Sequence, residues 1–437
     1  GVVDWALSRR RYWGTPLPVW KCDGCPQTFV AGSYGELFAE SGRPRPADPY
    51  DRSQFDPHRP GIDEITWDCY ACKGGVFRRV EDVIDAWFDS GAMPFAQHHY
   101  PFENADKVLE DGRFRPADFI SEAIDQTRGW FYTLHVLAVA LFDDVAFRNC
   151  IVLGFITDEQ GRKMSKRLGN VVDPMKVIEE TGADALRWYF AVNDPEQTAR
   201  FSARLVREAA QNFLLPLWNA ASFFTIYANI DQWSPGKAER LPLQERSKLD
   251  RWILSLLALT IEEVTRGLEH YEIAPTARRL QSFVESLTNW YIRRSRNRFW
   301  ASTDELSALD KEAASQTLYE VLTTLTHLIA PFTPFVAEKL HEILVRSQDR
   351  DAKPSVHLES WPQRSDVASG LLEEGWAEHM HIVQGMRTAQ RIAKLGHSAR
   401  SAHDLKTRQP LRSVTLVSTD ELLRGQLEYV RDLITDE

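Results

Sequence analysis

Cysteine is scarce, with five residues in a chain of 437. That is too few to hold such a length together by disulfides, so the fold must rest on buried cores, in a reducing compartment. Cationic side chains are in the minority, 52 Lys and Arg against 62 Asp and Glu, for a formal charge of −10. The deficit excludes a histone-like binder and confines any nucleic-acid contact to local basic surfaces. No stretch approaches the roughly 18 uninterrupted apolar residues of a membrane span, and the opening GVVDWALSRRRYW lacks the apolar centre of an export signal. The chain therefore reads as cytoplasmic, with no membrane partner. GxxxxGK[ST] is absent, which excludes a P-loop, and no GxGxxG follows a strand-like run. The histidines, His98-His99 included, fall into no metal or triad spacing.

What is present divides the chain. Residues before about 200 mix short β-rich runs with Gly and Pro punctuation, whereas those after Phe201 are dominated by helical periodicity. A strand at Phe119–Ile120, a helix through Gly129–Phe142 and a strand over Cys150–Thr157 predict part of a parallel α/β sheet. Leu249, Ile253, Leu256, Leu257, Val264 and Leu268 line one later helical stripe, and Leu280, Phe283, Val284 and Leu287 another. A third runs from Leu318 to Ile329 before Pro331 stops it. The segment from about Ser398 to Leu416 reads as a linker into a strand, SVTLV.

Cys22-x-x-Cys25 and Cys69-x-x-Cys72 offer four thiolates as two knuckles, the set that closes a tetrahedral structural Zn²⁺ site. The rival is a redox CxxC, which belongs at a helix start in a βαβ unit, whereas Cys22 follows the strand-like PLPVW. The intervening Trp20–Val80 segment is too polar to bury a core of its own and reads as an insertion that needs the metal. Cys150, on an apolar run, reads as a core residue.

Lys163-Met164-Ser165-Lys166-Arg167 follows the Cys150–Thr157 strand and is bracketed by Gly161 and Gly169. Two lysines flanking a hydroxyl on a mobile loop can swing against a polyphosphate, although the same residues also suit a solvated loop. Trp290-Tyr291-Ile292-Arg293-Arg294-Ser295-Arg296-Asn297-Arg298 is a basic helix with interleaved aromatics. It fits a single-stranded nucleic acid, or arginines pairing with neighbouring helices.

The KMSKR loop resembles the KMSKS signature of class I aminoacyl-tRNA synthetases, with Arg167 in place of the final Ser and the positive charge kept. DWALSRRRYWGTPLPVW (Asp4–Trp20), DVIDAWFDSGAMPF (Asp82–Phe95), SEAIDQTRGWFYTLH (Ser121–His135) and GADALRWYF (Gly182–Phe190) are similar to the isoleucine-specific versions of that family's catalytic motifs. LDRWILS, NWYIRRSRNRFW, APFTPFVAEKL and LKTRQPL resemble its anticodon-binding helices and their exit, so the likeness runs from Asp4 to about Leu411.

The resemblance implies an α/β fold, the C-terminal half of a Rossmann-like class I catalytic domain over residues 1–200, with the zinc insertion at about 20–80. Connecting helices at 201–248, an all-α anticodon-binding bundle at 249–400 and the start of a truncated region at 401–437 would follow. It implies a monomeric ligase that uses ATP with Mg²⁺ to form isoleucyl-adenylate and passes the amino acid to tRNA(Ile). Lys163 and Lys166 would approach the ATP phosphates, with Ser165 between them. Glu122 would hold the ribose hydroxyls, Gln126 the amino-acid carboxyl group, and Asp125, Gly154 and Phe155 would shape the adenosine site. Trp87 and Trp130 would wall the isoleucine pocket. Trp290, Arg293, Arg294 and Arg296 would contact tRNA. No general base is required, because the amino-acid carboxylate attacks the α-phosphorus directly and catalysis is alignment and charge stabilisation. The family's HxGH motif and its editing insertion do not occur in the sequence. The expectation is a piece truncated at both ends and inactive alone. Alternatives are a non-catalytic tRNA-binding fragment and a sister synthetase for valine.

Overall fold

A computed structural model describes residues 4–301, 308–367, 376–406, 409–417, 419 and 421–435; Thr407 and Arg408 of the LKTRQPL block lie outside them. The chain forms two compact units that divide between Phe155 and Ile156.

In the first unit, Ile120–Ala123 and Cys150–Leu153 pair in parallel, with Glu122 opposite Val152. The helix Trp130–Phe142 connects them, as the strand, helix, strand pattern of the sequence predicts. This helix is apolar almost throughout and buries Phe131, Leu134, Leu137 and Ala138 in a core shared with Ala92 and Phe95 of the helix Ala86–Ala96. Gly91 permits that packing, since a Cβ there would lie 2.9 Å from the Thr133 carbonyl. Asp85 caps the N-terminus of Ala86–Ala96, and the short strand Val83–Ile84 leading to it pairs antiparallel with Ser8–Arg9.

The insertion is a four-stranded antiparallel sheet in the order Thr28–Val30, Val19–Cys22, Val76–Arg79, Trp67–Asp68. Here the structure corrects the expectation from polarity. Trp20, Leu37, Ile62, Ile65 and Phe77 are buried together, and Trp67 stacks on Phe77 at 5.1 Å, so the insertion has a core of its own. Its apolar residues are spread over some sixty positions, and only the antiparallel pairing gathers them on one face.

The second unit begins with Ile156–Thr157 paired in parallel with Ala199–Arg200. Its boundary precedes the compositional shift near Phe201 because Val177, Ala185 and Tyr189 share a small core with Phe201 and Val206. The helices Lys248–Glu269, Ile273–Ser286 and Ala308–Ile329 carry the three apolar stripes into one large core. Ser247 opens the first with a capping box shared with Asp250. The 28-residue helix Ala203–Ile230 has, by length and composition only, the dimensions and mean hydropathy (1.2) of a membrane span, although polar residues interrupt its apolar run. One face of it, with Val206, Phe213, Leu217, Ala221 and Phe224, is buried, and Trp188 stacks on Phe213 at 3.5 Å. Ser413–Val417 is not a strand, with Val417 91% exposed. No ladder partner reaches it among the described residues, and a lone strand leaves its backbone groups unpaired.

Candidate active site and metal centre

At the C-terminal ends of the two parallel strands of the first unit, where α/β sheets bind ligands, the chain turns through Ile124–Arg128 into the helix Trp130–Phe142. Glu122 is exposed near the end of its strand, and Asp125 is exposed in the turn. Gln126 Oε1 accepts the Trp130 backbone N–H at 2.9 Å, while its Nε2 is 3.4 Å from Asp125 Oδ2. Gly129 fills the gap between Gln126 and Trp87: a Cβ there would lie 2.7 Å from Gln126 Oε1 and 3.1 Å from the Trp87 ring. Trp130 donates its indole N–H to Ser90 O at 3.1 Å, which leaves the ring fixed between the two helices. Trp87 is 42% exposed, as a wall residue of an open pocket can be and a core tryptophan cannot. The structure thus brings Trp87, Gln126 and Trp130 together around Gly129. Gly154 and Phe155 follow the partner strand, whose Leu153 is paired with Ala123, and Phe155 is exposed.

Two further residues position this cluster and are not evident from sequence alone. Asp85, buried, accepts from Trp5 Nε1 at 2.9 Å and from Arg9 Nη2 at 2.6 Å while capping Trp87 N. Asp89 accepts from Thr15 Oγ1 at 3.0 Å, and burial raises its carboxyl above the ordinary value.

In the second unit the Lys163–Arg167 loop is braced from beneath. Asp158, 5% exposed, accepts from the backbone N–H groups of Gln160 and Arg162 at 3.1 and 2.8 Å. It also accepts from Arg162 Nε at 2.8 Å and from Asn170 Nδ2 at 2.9 Å. Led by the Asn170 bond and outweighing burial, these donors hold its carboxyl at about 2. Asn170 in turn donates to Lys163 O and accepts from Ser165 N at 2.9 Å. Ser165 caps the short turn Lys166–Leu168 through its hydroxyl, and Gly161 and Gly169 sit at positive φ on either side. Met164 packs inward on the small core, while the side chains of Lys163, Lys166 and Arg167 are exposed. The loop therefore presents three cations to solvent from a fixed base. Asp158-x-Gln160-Gly161 is an Asx turn that the sequence could have disclosed; Asn170 carried no such signal.

The four paired cysteines converge, with all Sγ atoms within 4.8 Å of one another. Cys22 and Cys72 are 3.5 Å apart and Cys25 and Cys69 3.7 Å. Tetrahedral zinc with Zn–S bonds of about 2.3 Å requires sulfur separations of about 3.8 Å, so the set fits. Gly24 N and Ala71 N donate to Cys22 Sγ and Cys69 Sγ at 3.3 and 3.4 Å, the knuckle bonds that favour thiolates. Gly75 is obligatory here, because a Cβ would lie 2.5 Å from Cys22 Sγ. Without a cation the thiols interfere: Cys22 and Cys25 push Cys72 up to about 12.

The basic helix splits. Leu287–Ile292 is a wide π-helical turn, followed by the helix Arg293–Trp300. Trp290 and Arg293 line a 610 Å³ groove with Asn289, Gln390, Lys394 and His397 of the facing helix Trp376–Ala402. Arg296 lines a second hollow beside Asn212 and Asn219. Arg294 instead donates to Leu433 O at 3.0 Å, and Arg298 is tied to Asp250 and Asp310.

The profile of tRNA synthetases class I (I, L, M and V) matches residues 1–202, and that of the anticodon-binding domain of tRNA ligase matches 250–415. An isoleucine–tRNA ligase of Thermus thermophilus is 48% identical over 100% of this chain and 40% of that protein. One of Dehalococcoides mccartyi is 47% identical over 100% and 41%, and one of Deinococcus radiodurans 42% over 99% and 38%. The chain thus spans about 40% of the length of such relatives. Among solved structures, the Agrobacterium radiobacter K84 LeuRS, in a ternary complex with tRNA and LeuAMS, superposes with a TM-score of 0.57. It is 21% identical and covers 83% of this chain and 42% of that one, a likeness of fold. On these findings the chain belongs to the class I aminoacyl-tRNA synthetases, within the isoleucine–tRNA ligase family.

Proposed function

We propose that this chain is the part of an isoleucine–tRNA ligase that holds the aminoacyl-adenylate, supplies the phosphate-facing loop and grips the tRNA anticodon arm. The observation that carries the reading is the convergence of Trp87, Gln126 and Trp130 on Gly129. Two flat apolar walls suit a branched aliphatic side chain, and the amide beside them suits a carboxyl group. Glu122 takes the ribose hydroxyls, with Asp125, Gly154 and Phe155 around the adenosine. Lys163 and Lys166, held out by the Asp158–Asn170 brace around Ser165, neutralise charge developing on the phosphates of ATP, which enters with Mg²⁺. Proton abstraction has no place in this step; the residues align the carboxylate with the α-phosphorus.

Zinc at Cys22, Cys25, Cys69 and Cys72 supplies structure only, since four sulfurs leave no open coordination position. Trp290 and Arg293 face tRNA from the groove they share with Lys394, and Arg296 from the hollow beside Asn212 and Asn219, whereas Arg294 serves the fold through Leu433. The enzyme works as a cytoplasmic monomer. The test is isoleucine-dependent ATP–pyrophosphate exchange. The isolated chain should give none, while a full-length protein carrying it should be active and lose about 10²-fold on Lys166→Ala. Exchange by the isolated chain would refute the division of labour, and exchange with valine equal to that with isoleucine would refute the substrate.

A further inference from the structure

The four sulfurs that fit a metal can also react with one another, and the sheet decides which partners meet. Cys22 Sγ lies 3.5 Å from Cys72 Sγ and Cys25 Sγ 3.7 Å from Cys69 Sγ, so each contact joins one CxxC motif to the other. Backbone pairing fixes this register without a metal. Cys22 closes the strand Val19–Cys22 opposite Phe77, Asp23 N donates to Val76 O at 3.1 Å, and Cys69 N donates to Gly75 O at 2.8 Å. Asp23 Oδ1 accepts from Val76 N at 2.8 Å and ties the two knuckles a further time. Glycine keeps the path between the sulfurs open. A Cβ at Gly75 would lie 2.5 Å from Cys22 Sγ and 2.6 Å from Cys72 Sγ, and one at Gly24 3.3 Å from Cys72 Sγ.

Access divides the four. Cys25 and Cys72 are half-buried and open to a small solute, whereas Cys22 and Cys69 are 8% and 9% exposed and accept the bonds from Gly24 N and Ala71 N. Each close pair therefore combines one reachable sulfur with one shielded sulfur. In that arrangement the exposed thiolate takes an oxidant and a resolving thiol stands behind it. An S–S bond of about 2.05 Å asks each pair to close by about 1.5 Å, which knuckle loops carrying Gly24, Gly74 and Gly75 can supply. The core of Trp20, Leu37, Ile62, Ile65 and Phe77 holds the sheet while those loops shift.

We infer that the cysteine cluster is an oxidation site: a hydroperoxide converts it into two disulfides, Cys22–Cys72 and Cys25–Cys69, which staple the knuckles together in place of a metal. The reachable thiolate of each pair attacks hydrogen peroxide, forming an S–O bond as the O–O bond breaks. Hydroxide leaves and takes up the proton that the thiol had shed. The shielded thiol then attacks the sulfenic sulfur, the S–S bond forms, and the oxygen departs with that thiol's proton as a second water. Each disulfide thus costs two electrons and reduces one peroxide to two waters. Joined sulfurs offer no thiolate to a cation, so zinc retention and oxidation exclude each other. A dithiol reverses the change by exchange. The inference is independent of the ligase reading, and it differs from redox CxxC chemistry, whose bond forms inside one motif.

The test treats a full-length protein carrying this chain with hydrogen peroxide, blocks the remaining thiols with N-ethylmaleimide and maps disulfides in non-reduced peptides by mass spectrometry. Most chains should show the Cys22–Cys25 peptide linked to the Cys69–Cys72 peptide, with fragment ions joining Cys22 to Cys72 and Cys25 to Cys69. Cys150 should stay free, zinc per chain should fall in step with thiol loss, and dithiothreitol should return both the thiols and the capacity to rebind zinc. Cys25→Ser/Cys69→Ser should still form Cys22–Cys72, whereas Cys25→Ser/Cys72→Ser, which leaves the two shielded sulfurs, should lose thiol about 10-fold more slowly. The parent map decides the pairing whether or not these variants fold, and also in a protein purified without zinc. Disulfides inside either motif, sulfinic or sulfonic acids as the main products, or thiols and zinc both retained in millimolar peroxide would each overturn the inference.

Discussion

Replacing Arg298 with Met should be among the most damaging single changes in the helical unit, and the structure supports an estimate of its size. The Asp250 carboxylate is fully buried and accepts from Arg298 Nη1 and Nη2 at 2.8 and 2.7 Å. Tyr291 OH at 2.7 Å and the Ser247 N–H and hydroxyl at 3.1 and 2.8 Å complete its shell. Burial alone would raise this carboxyl, yet the Arg298 guanidinium, Tyr291 and Ser247 together hold it below the ordinary 3.8, so it is charged. Removing the guanidinium strands a buried anion on three neutral donors, at a cost of about 3–5 kcal/mol. Asp310, the other partner of Arg298, is 35% exposed and adds little, because it can turn to water.

With a urea m-value of about 2–3 kcal/mol/M, the unfolding midpoint followed by helical ellipticity should fall by about 1–2.5 M. Asp250→Asn/Arg298→Met removes both charges and should recover part of that loss. The pH dependence has a definite sign. A group whose folded pKa is depressed stabilises fully above its unfolded value and progressively less as pH falls through the folded one. The helical unit should therefore weaken below about pH 4, with a shallower slope in Asp250→Asn. A midpoint for Arg298→Met within about 0.3 M of the parent, or a double variant no better than the single, would refute the reasoning.

Two other expectations concern the candidate sites. Gly75→Ala places a methyl against Cys22 and Cys72 and should abolish zinc retention, read as metal per chain after desalting, while the core around Trp20 and Phe77 keeps the sheet partly folded; full zinc content in the variant would rule the geometry out. Asp158→Ala removes the brace under the lysine loop, so tryptic cleavage at Lys163 or Lys166 should accelerate by about 10-fold or more. Because Asp158 titrates near 2, the brace in the parent protein should persist to about pH 3 and fail only in stronger acid; unchanged cleavage in the variant would show that the loop is held by something else.

The periodic features were legible in the sequence. The apolar stripes at Leu249–Leu268, Leu280–Leu287 and Leu318–Ile329 become buried helix faces because a 3.6-residue repeat has one way to satisfy itself. The two CxxC pairs converge as their spacing implied, and parallel strands flank Trp130–Phe142, although the run expected as one strand over Cys150–Thr157 ends at Leu153 and Ile156–Thr157 pairs instead with Ala199–Arg200. Other features were not legible. Arg294 and Arg298 stand in the same basic run as Arg293 and Arg296, and only the packing of Leu433 and Asp250 against them separates fold-serving arginines from those lining open hollows. The insertion's core was missed because its members are distant in sequence, and the strand expected at Ser413–Val417 because strands depend on a partner.

Local chemistry, then, was settled by sequence alone: which residues carry charge, thiol or aromatic surface, and which helical faces are apolar, since both follow from composition and period. Convergence was decided by tertiary structure. Gly129 seating Trp87 against Gln126, Asp158 and Asn170 holding the lysine loop, and Val83–Ile84 pairing with Ser8–Arg9 all depend on approaches of about 3 Å between residues far apart or in opposed segments. Steric exclusion and hydrogen-bond geometry act only across such distances, and a linear pattern does not contain them.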